Sequence, residues 1–147
     1  HARLDASDLC DGVSVTMTSP PRTAWDLGRW MPPLASVPII DGLLGIGRVS
    51  ASDLRAYATD RIGERGPRRA IAAIDLADGR AQSPPESVVR VRLVMAGLPK
   101  PVPQLPITVP GGITLHPDLA WRRTGSRSST TASGTRRVNN SIATASD

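Results

Sequence analysis

Apolar positions along this chain switch between a strand spacing and a helix spacing, and the switches fall at Pro, Gly and Ser/Asp steps. Asp11-Gly12 marks a turn. Beyond it Val13, Val15 and Met17 alternate with polar neighbours, which predicts a short strand or hairpin arm. Ser19-Pro20 reads as a helix start, with Ser as cap and Pro in the first turn. The helix carrying Trp25 and Leu27 should end before Pro32-Pro33. A second helix is predicted from about Leu34 to Leu44, weakened by Pro38 and Gly42. Ser50-Ala51-Ser52-Asp53 is a capping-box pattern ahead of Leu54 and Tyr57 and starts a third. Gly63 to Pro67 is a loop. Arg68 to Ala77 is rich in Ala, Ile and Leu, with Ile71 and Ile74 on one side, and Asp78-Gly79 stops it.

Ser83-Pro84-Pro85-Glu86 is the strongest helix start: Ser at the cap, Pro at the first helical position, Glu three residues after the cap. The residues that follow carry a conflicting signal. Val89, Val91, Leu93 and Met95 alternate with Arg90 and Arg92, a strand pattern taken alone. The capping box and the Gly97-Leu98-Pro99 stop decide for helix. After Pro103, Leu105, Ile107 and Val109 alternate, Gly111-Gly112 turns the chain, and Ile113 to Trp121 returns, a β-hairpin. These patterns predict an α+β chain, helical over 19–97 with a hairpin over 103–121.

The order breaks after Trp121. Residues 122–147 hold six Ser, five Thr, five Arg and three Ala, and only Val138 and Ile142 are large and apolar. That composition builds no core, and a disordered tail is expected. A Ser/Thr/Arg/Ala/Gly mixture is also what a GC-rich gene yields out of frame. Back-translated and regrouped by one reading-frame step, the stretch from Thr124 to Asp147 can spell YRVAIEYDGVWHAPGQQFHRDRERL, with permitted codon choices. Ser129-Thr130-Thr131-Ala132 becomes E-Y-D-G and Gly134-Thr135 becomes W-H. The regrouped string has a β-branched strand, an acidic turn and a charged helix, none of which the tail has as it stands. The tail reads as a frameshift product.

This division changes the meaning of the charge. The formal net charge of +5 points first to nucleic acid. Residues 1–121, however, carry thirteen Lys/Arg against twelve Asp/Glu, and the tail supplies five Arg against Asp147. The basic excess belongs mostly to the tail and is weak evidence for a partner. Cys10 is the only cysteine, so no internal disulfide forms, and a reducing, cytoplasmic setting is the default. No apolar stretch approaches membrane-spanning length, so no membrane partner is expected. The chain opens on His1, so a missing start is expected too.

Candidate chemistry is sparse. There is no Gly-rich phosphate loop, Cys/His metal cluster or Ser–His–Asp arrangement. His116 has no obvious partner and reads as a surface residue at a strand end. Two carboxylates are of interest: Glu86 in the first turn of a capped helix, and Asp118 in Pro117-Asp118. A capping role accounts for Glu86, and an ordinary strand-end position accounts for Asp118. Metal-dependent phosphodiester cleavage needs clustered carboxylates to hold Mg²⁺ and polarise phosphate and water, and two carboxylates a hairpin apart are a weak form of that signal.

Four segments carry a resemblance: Ser19-Pro20-Pro21-Arg22-Thr23-Ala24-Trp25-Asp26-Leu27, Ser83-Pro84-Pro85-Glu86-Ser87, Leu93-Val94-Met95-Ala96-Gly97-Leu98-Pro99 and Asp118-Leu119-Ala120-Trp121. In this order they resemble actinobacterial proteins of unassigned function. The C-terminal domain of those proteins is similar to very-short-patch-repair endonucleases, and their upstream region resembles AbiEi-type antitoxins. The resemblance covers residues 5–121. It implies a remnant of an upstream winged-helix region over 1–18, a helical AbiEi-like region over 19–80, and the N-terminal part of an endonuclease-like domain of PD-(D/E)XK type over 81–121. Residues 122–147 remain as the out-of-frame tail. It also implies that Glu86 and Asp118 are catalytic and metal-site positions of an incomplete site, with Mg²⁺ as the family's cofactor, held weakly here, and DNA as partner. The family continues with a strand carrying an E-Y-D-G-like motif, then W-H and a charged helix, which the regrouped string supplies. Two departures stand out: the DNA-reading helices of the winged-helix region are not in this sequence, and Pro38 falls in a helix usually uninterrupted in relatives.

The reading favoured on these residues is a truncated relative of a metal-dependent DNA endonuclease, inactive as it stands because the E-Y-D-G strand is lost. The alternative is an AbiEi-type antitoxin or transcriptional-regulator-like binding module, with a toxin or operator DNA as partner. A third reading is the non-functional product of a decaying gene.

Overall fold

The computed structural model describes residues 4–12, 14–64, 66–123 and 143–146. A 3-10 turn (Ala6–Asp8) leads into a β-ribbon of β1 (Leu9–Asp11) and β2 (Thr16–Thr18), antiparallel with Leu9 opposite Thr18. Five helices follow: α1 (Pro20–Trp30), α2 (Pro33–Gly45), α3 (Ala51–Thr59), α4 (Pro67–Leu76) and α5 (Pro84–Met95). The expected α+β class stands, with helix starts next to Ser19, Ser50 and Ser83 as the sequence predicts.

α2 is the central helix, packed against α1, α4 and α5. Val37 and Ile40 on it are fully buried, and burial carries the helix through Pro38 despite the missing N–H at that position. One apolar core joins Ala24 and Trp25 of α1, Val37 and Ile40 of α2, Leu54 of α3, Ala70, Ala73 and Ile74 of α4, and Val91 of α5. The core therefore runs across residue 80 without a break. The core does not divide at the 80/81 boundary that the resemblance implies. α1 crosses α4 at Gly28, where a Cβ would sit 2.8 Å from the Ala70 Cα, so the two backbones approach too closely for a side chain.

Two opposing local signals are resolved in α5. Its buried residues are Ser87, Arg90 and Val91, a helical spacing, while Val89 and Met95 of the alternating set are exposed. The caps differ from the expected ones in detail. Ser50 and Asp53 form the full box, with Ser50 Oγ accepting the Asp53 N–H and Asp53 accepting the Ser50 N–H. Ser19 instead donates its hydroxyl to the Ser7 carbonyl, fastening the N-terminal turn to α1.

The hairpin expected over 103–121 is present but interrupted. β3 (Val102–Pro103) pairs antiparallel with β6 (Leu119–Arg123), and β4 (Ile107–Thr108) pairs with β5 (Thr114–Leu115). Both ladders keep one register, from Val102 opposite Ala120 to Ile107 opposite Leu115, closed by the Val109 N–H on the Ile113 carbonyl. Gly111 and Gly112 supply the positive φ of the turn. The break comes at Gln104, whose φ is 51°, between Pro103 and Pro106, with Pro117 falling opposite Leu105; prolines cannot donate to a ladder.

Of the residues expected as a coil tail, Arg122 and Arg123 end β6, and Ala143–Ser146 form β7, which pairs parallel with β6 at Ala120 opposite Ala143. A strand thus stands where coil is expected. An edge strand offers backbone groups to any extended segment whatever its side chains. Residues 124–142 and 147 lie outside the described residues, and so does the expectation placed on them.

Candidate functional site

Glu86 sits in the first turn of α5 with both oxygens engaged. Oε2 accepts the Gln82 N–H at 3.0 Å and Oε1 accepts the Ser83 hydroxyl at 2.9 Å. Glu86 thus ties down the Gln82–Ser83 entry to α5, and the capping box read from the sequence is not formed. Asp118 is exposed in the bend before β6, where Oδ1 lies 3.5 Å from Gln104 Nε2. The two carboxylates share no hydrogen-bond partner. His116 is exposed at the end of β5, as expected. Among the described residues no three His, Cys, Asp or Glu side chains converge into a group able to hold a metal ion.

An octahedral Mg²⁺ is bound through carboxylates with room left for water and phosphate oxygens. Glu86, committed to its helix start, and Asp118, alone on a bend, do not fit that requirement.

The tightest polar chemistry lies elsewhere, at two buried aspartates that the sequence reading passes over. Asp8, 1% exposed, accepts the hydroxyl of Tyr57 and the N–H of Asp5. It also pairs with Arg22 at 2.9 Å and Arg61 at 2.7 Å. Burial works against its charge, but Tyr57, Asp5, Arg61 and Arg22 outweigh it and hold the carboxyl below the usual range. Burial and the bond to Asp8 push the Tyr57 hydroxyl well above its ordinary value. Arg61 also stacks its guanidinium 3.6 Å from the Tyr57 ring centre. This cluster ties the N-terminal turn to α1 and α3.

Asp41, on the α5 side of α2, accepts the Asp78 N–H at 2.7 Å, the Ser87 hydroxyl and the Arg90 guanidinium. Arg90 is fully buried and also donates to the Leu76 carbonyl at the end of α4. Its Nε has no partner among the described residues. Three helices and the loop after α4 meet on these side chains. The sequence carried one signal for them, an Asp inside the apolar run from Val37 to Leu44. A buried charge there requires a partner from elsewhere. Both clusters are arrangements for holding elements together, and neither opens a reacting atom to a substrate.

The chain is 33% identical over 104 residues to an uncharacterized protein of Mycobacterium tuberculosis strain CDC 1551 / Oshkosh, and equally to one of strain ATCC 25618 / H37Rv. Each match covers 71% of this chain and 38% of the relative, so the chain spans less than two-fifths of the length of these curated relatives. No family model matches the chain. No solved structure matches it. Among the described residues, no helix is long and apolar enough to cross a membrane.

Proposed function

We propose that the chain is a truncated relative of a metal-dependent DNA endonuclease whose catalytic strand has been lost by a change of reading frame, leaving no hydrolytic activity. The observation that carries this is the continuation after Trp121. With permitted codon choices, one frame step can turn a core-less tail into a strand with E-Y-D-G, then W-H and a charged helix, shortly after Asp118-Leu119-Ala120-Trp121. The E-Y-D-G carboxylates of the restored frame would supply the acidic groups that Glu86 and Asp118 alone do not, and clustered carboxylates are what Mg²⁺-dependent phosphodiester cleavage requires.

The test is a supercoiled-plasmid cleavage assay with Mg²⁺ or Mn²⁺ on the present chain and on the frame-restored chain. The present chain leaves the plasmid intact, and the restored chain nicks it in a way that Asp118→Ala abolishes. Cleavage by the present chain that survives Asp118→Ala would overturn the reading.

One observation favours a second reading, a binding module of AbiEi-antitoxin type. α5 packs into the helical core against α2 through Asp41, Ser87 and Arg90 rather than serving a sheet. Inactivity of both chains in the cleavage assay, with a toxin-like protein or an operator duplex retained by the helical part, puts this reading ahead.

A further inference from the structure

A cleft of about 520 Å³ lies where the start of α3, the turn after α4 and the segment leading into β3 come together. Ser50, Ala51, Arg55, Asp78, Arg80 and Lys100 line its polar side. Three cations face one carboxylate there, and that carboxylate is already held. Arg80 grips Asp78 through Nε at 2.9 Å and Nη2 at 2.7 Å, and Asp78 is kept ionised against the effect of burial. Lys100 is fixed by the Asp75 and Ala77 carbonyls at the C-terminal end of α4. Its ammonium lies below the ordinary lysine range because of partial burial and the nearby Arg90. Arg55 is exposed and makes no side-chain hydrogen bond or ion pair with the described residues. The cleft thus keeps a surplus of positive charge beyond what its own acid neutralises. The first turn of α3 opens on the same space; Ser50 Oγ takes its Asp53 N–H, and the Ala51 and Ser52 N–H groups ahead of it lack helical acceptors.

We infer that this cleft binds a backbone phosphodiester of DNA, with Arg55 as the guanidinium that reaches the phosphate and Arg80 and Lys100 as fixed positive charges behind it. A guanidinium matches phosphate oxygens in a bidentate fork, and contacts of this kind position a duplex without reading its sequence. The choice of DNA over another phosphate rests on the endonuclease-relative reading. The cation cluster itself does not depend on that reading.

The experiment titrates inorganic phosphate and a short duplex of arbitrary sequence into the isotopically labelled chain and into Arg55→Gln. Amide shifts at Ala51, Ser52 and Arg80 locate the site, and anisotropy at several salt concentrations gives the duplex affinity. Because the Arg55 side chain is exposed, the variant should keep the same thermal midpoint. Expected are shifts at these amides with both ligands and duplex binding about tenfold weaker in Arg55→Gln. The slope of log affinity on log salt should be lower by about one. Phosphate shifts without duplex binding would overturn the DNA assignment while leaving an anion cleft. Duplex binding indifferent to Arg55→Gln would overturn this cleft as the site while leaving the endonuclease reading intact. No shift with either ligand would overturn the inference outright.

Discussion

Single residues decide more of this molecule than its composition would indicate, because two aspartates are buried with their charges. The folded-state pKa of Asp8 lies below the 3.8 of an unperturbed aspartate. The unfolded chain therefore takes up a proton first as pH falls. The stabilisation from this site is complete above the unfolded value and drains away as pH drops through the folded one. Asp8→Asn should lower the neutral-pH melting point by the equivalent of about 3 kcal/mol, since Arg22 and Arg61 lose their buried counter-charge. It should also flatten the fall in stability below about pH 4. Melting curves across acid pH for both proteins check this, and an equally steep fall in the variant would show that other carboxylates govern acid unfolding. Asp41 was half legible in the sequence as a charge inside an apolar run. Its partner Arg90 was not, since it comes 49 positions later, in an alternating pattern that gave no reason to bury it.

Among the elements, local rules located the starts and packing decided the rest. Pro at the first helical position marked α1 and α5 correctly, and the start of α5 outweighed an alternation that would have made it a strand. What the cap residues bind was not legible, because Ser19 is drawn to Ser7 by tertiary contact and Glu86 turns back to Gln82 and Ser83 ahead of the helix. Glu86→Ala should therefore cost about 1 kcal/mol of stability through the lost hydrogen bonds to Gln82 and Ser83. It should lower the melting point whether or not Mg²⁺ is present. A loss of Mg²⁺-dependent stabilisation in the variant would instead mark Glu86 as a ligand. The crossing of α1 and α4 was invisible in sequence, as nothing around Gly28 marks it as the point of a close approach to Ala70. Gly28→Leu must push the helices apart at Ala70 and should destabilise by about 1–3 kcal/mol. An unchanged melting point would mean that the crossing is looser than the 2.8 Å approach shows.

Across the whole molecule, the core lies between Ala24 and Val91, and the strands that follow add Leu105, Leu119 and Ala120 as a separate buried set. β7 joins β6 through backbone pairing along four positions, and an edge pairing of that length adds little beyond its hydrogen bonds. A chain ended at Arg123 should keep the same helical content and melt within about 4 °C of the full chain, less than about 1 kcal/mol for a domain of this size. A larger fall would show that the tail is part of the cooperative unit and would undercut its reading as an out-of-frame product. The restored frame gives the opposite expectation. It places V-A-I-E-Y-D-G a few residues after Arg123, and so short a connection can only make an antiparallel pair with β6. That strand alternates large apolar residues and should cover the edge that β7 now covers in parallel. Amide exchange at Ala120 and Trp121 should then be slower in the restored chain than in the present one. Equal exchange in the two would mean that the regrouped strand does not belong beside β6, and the frameshift account would lose its structural ground.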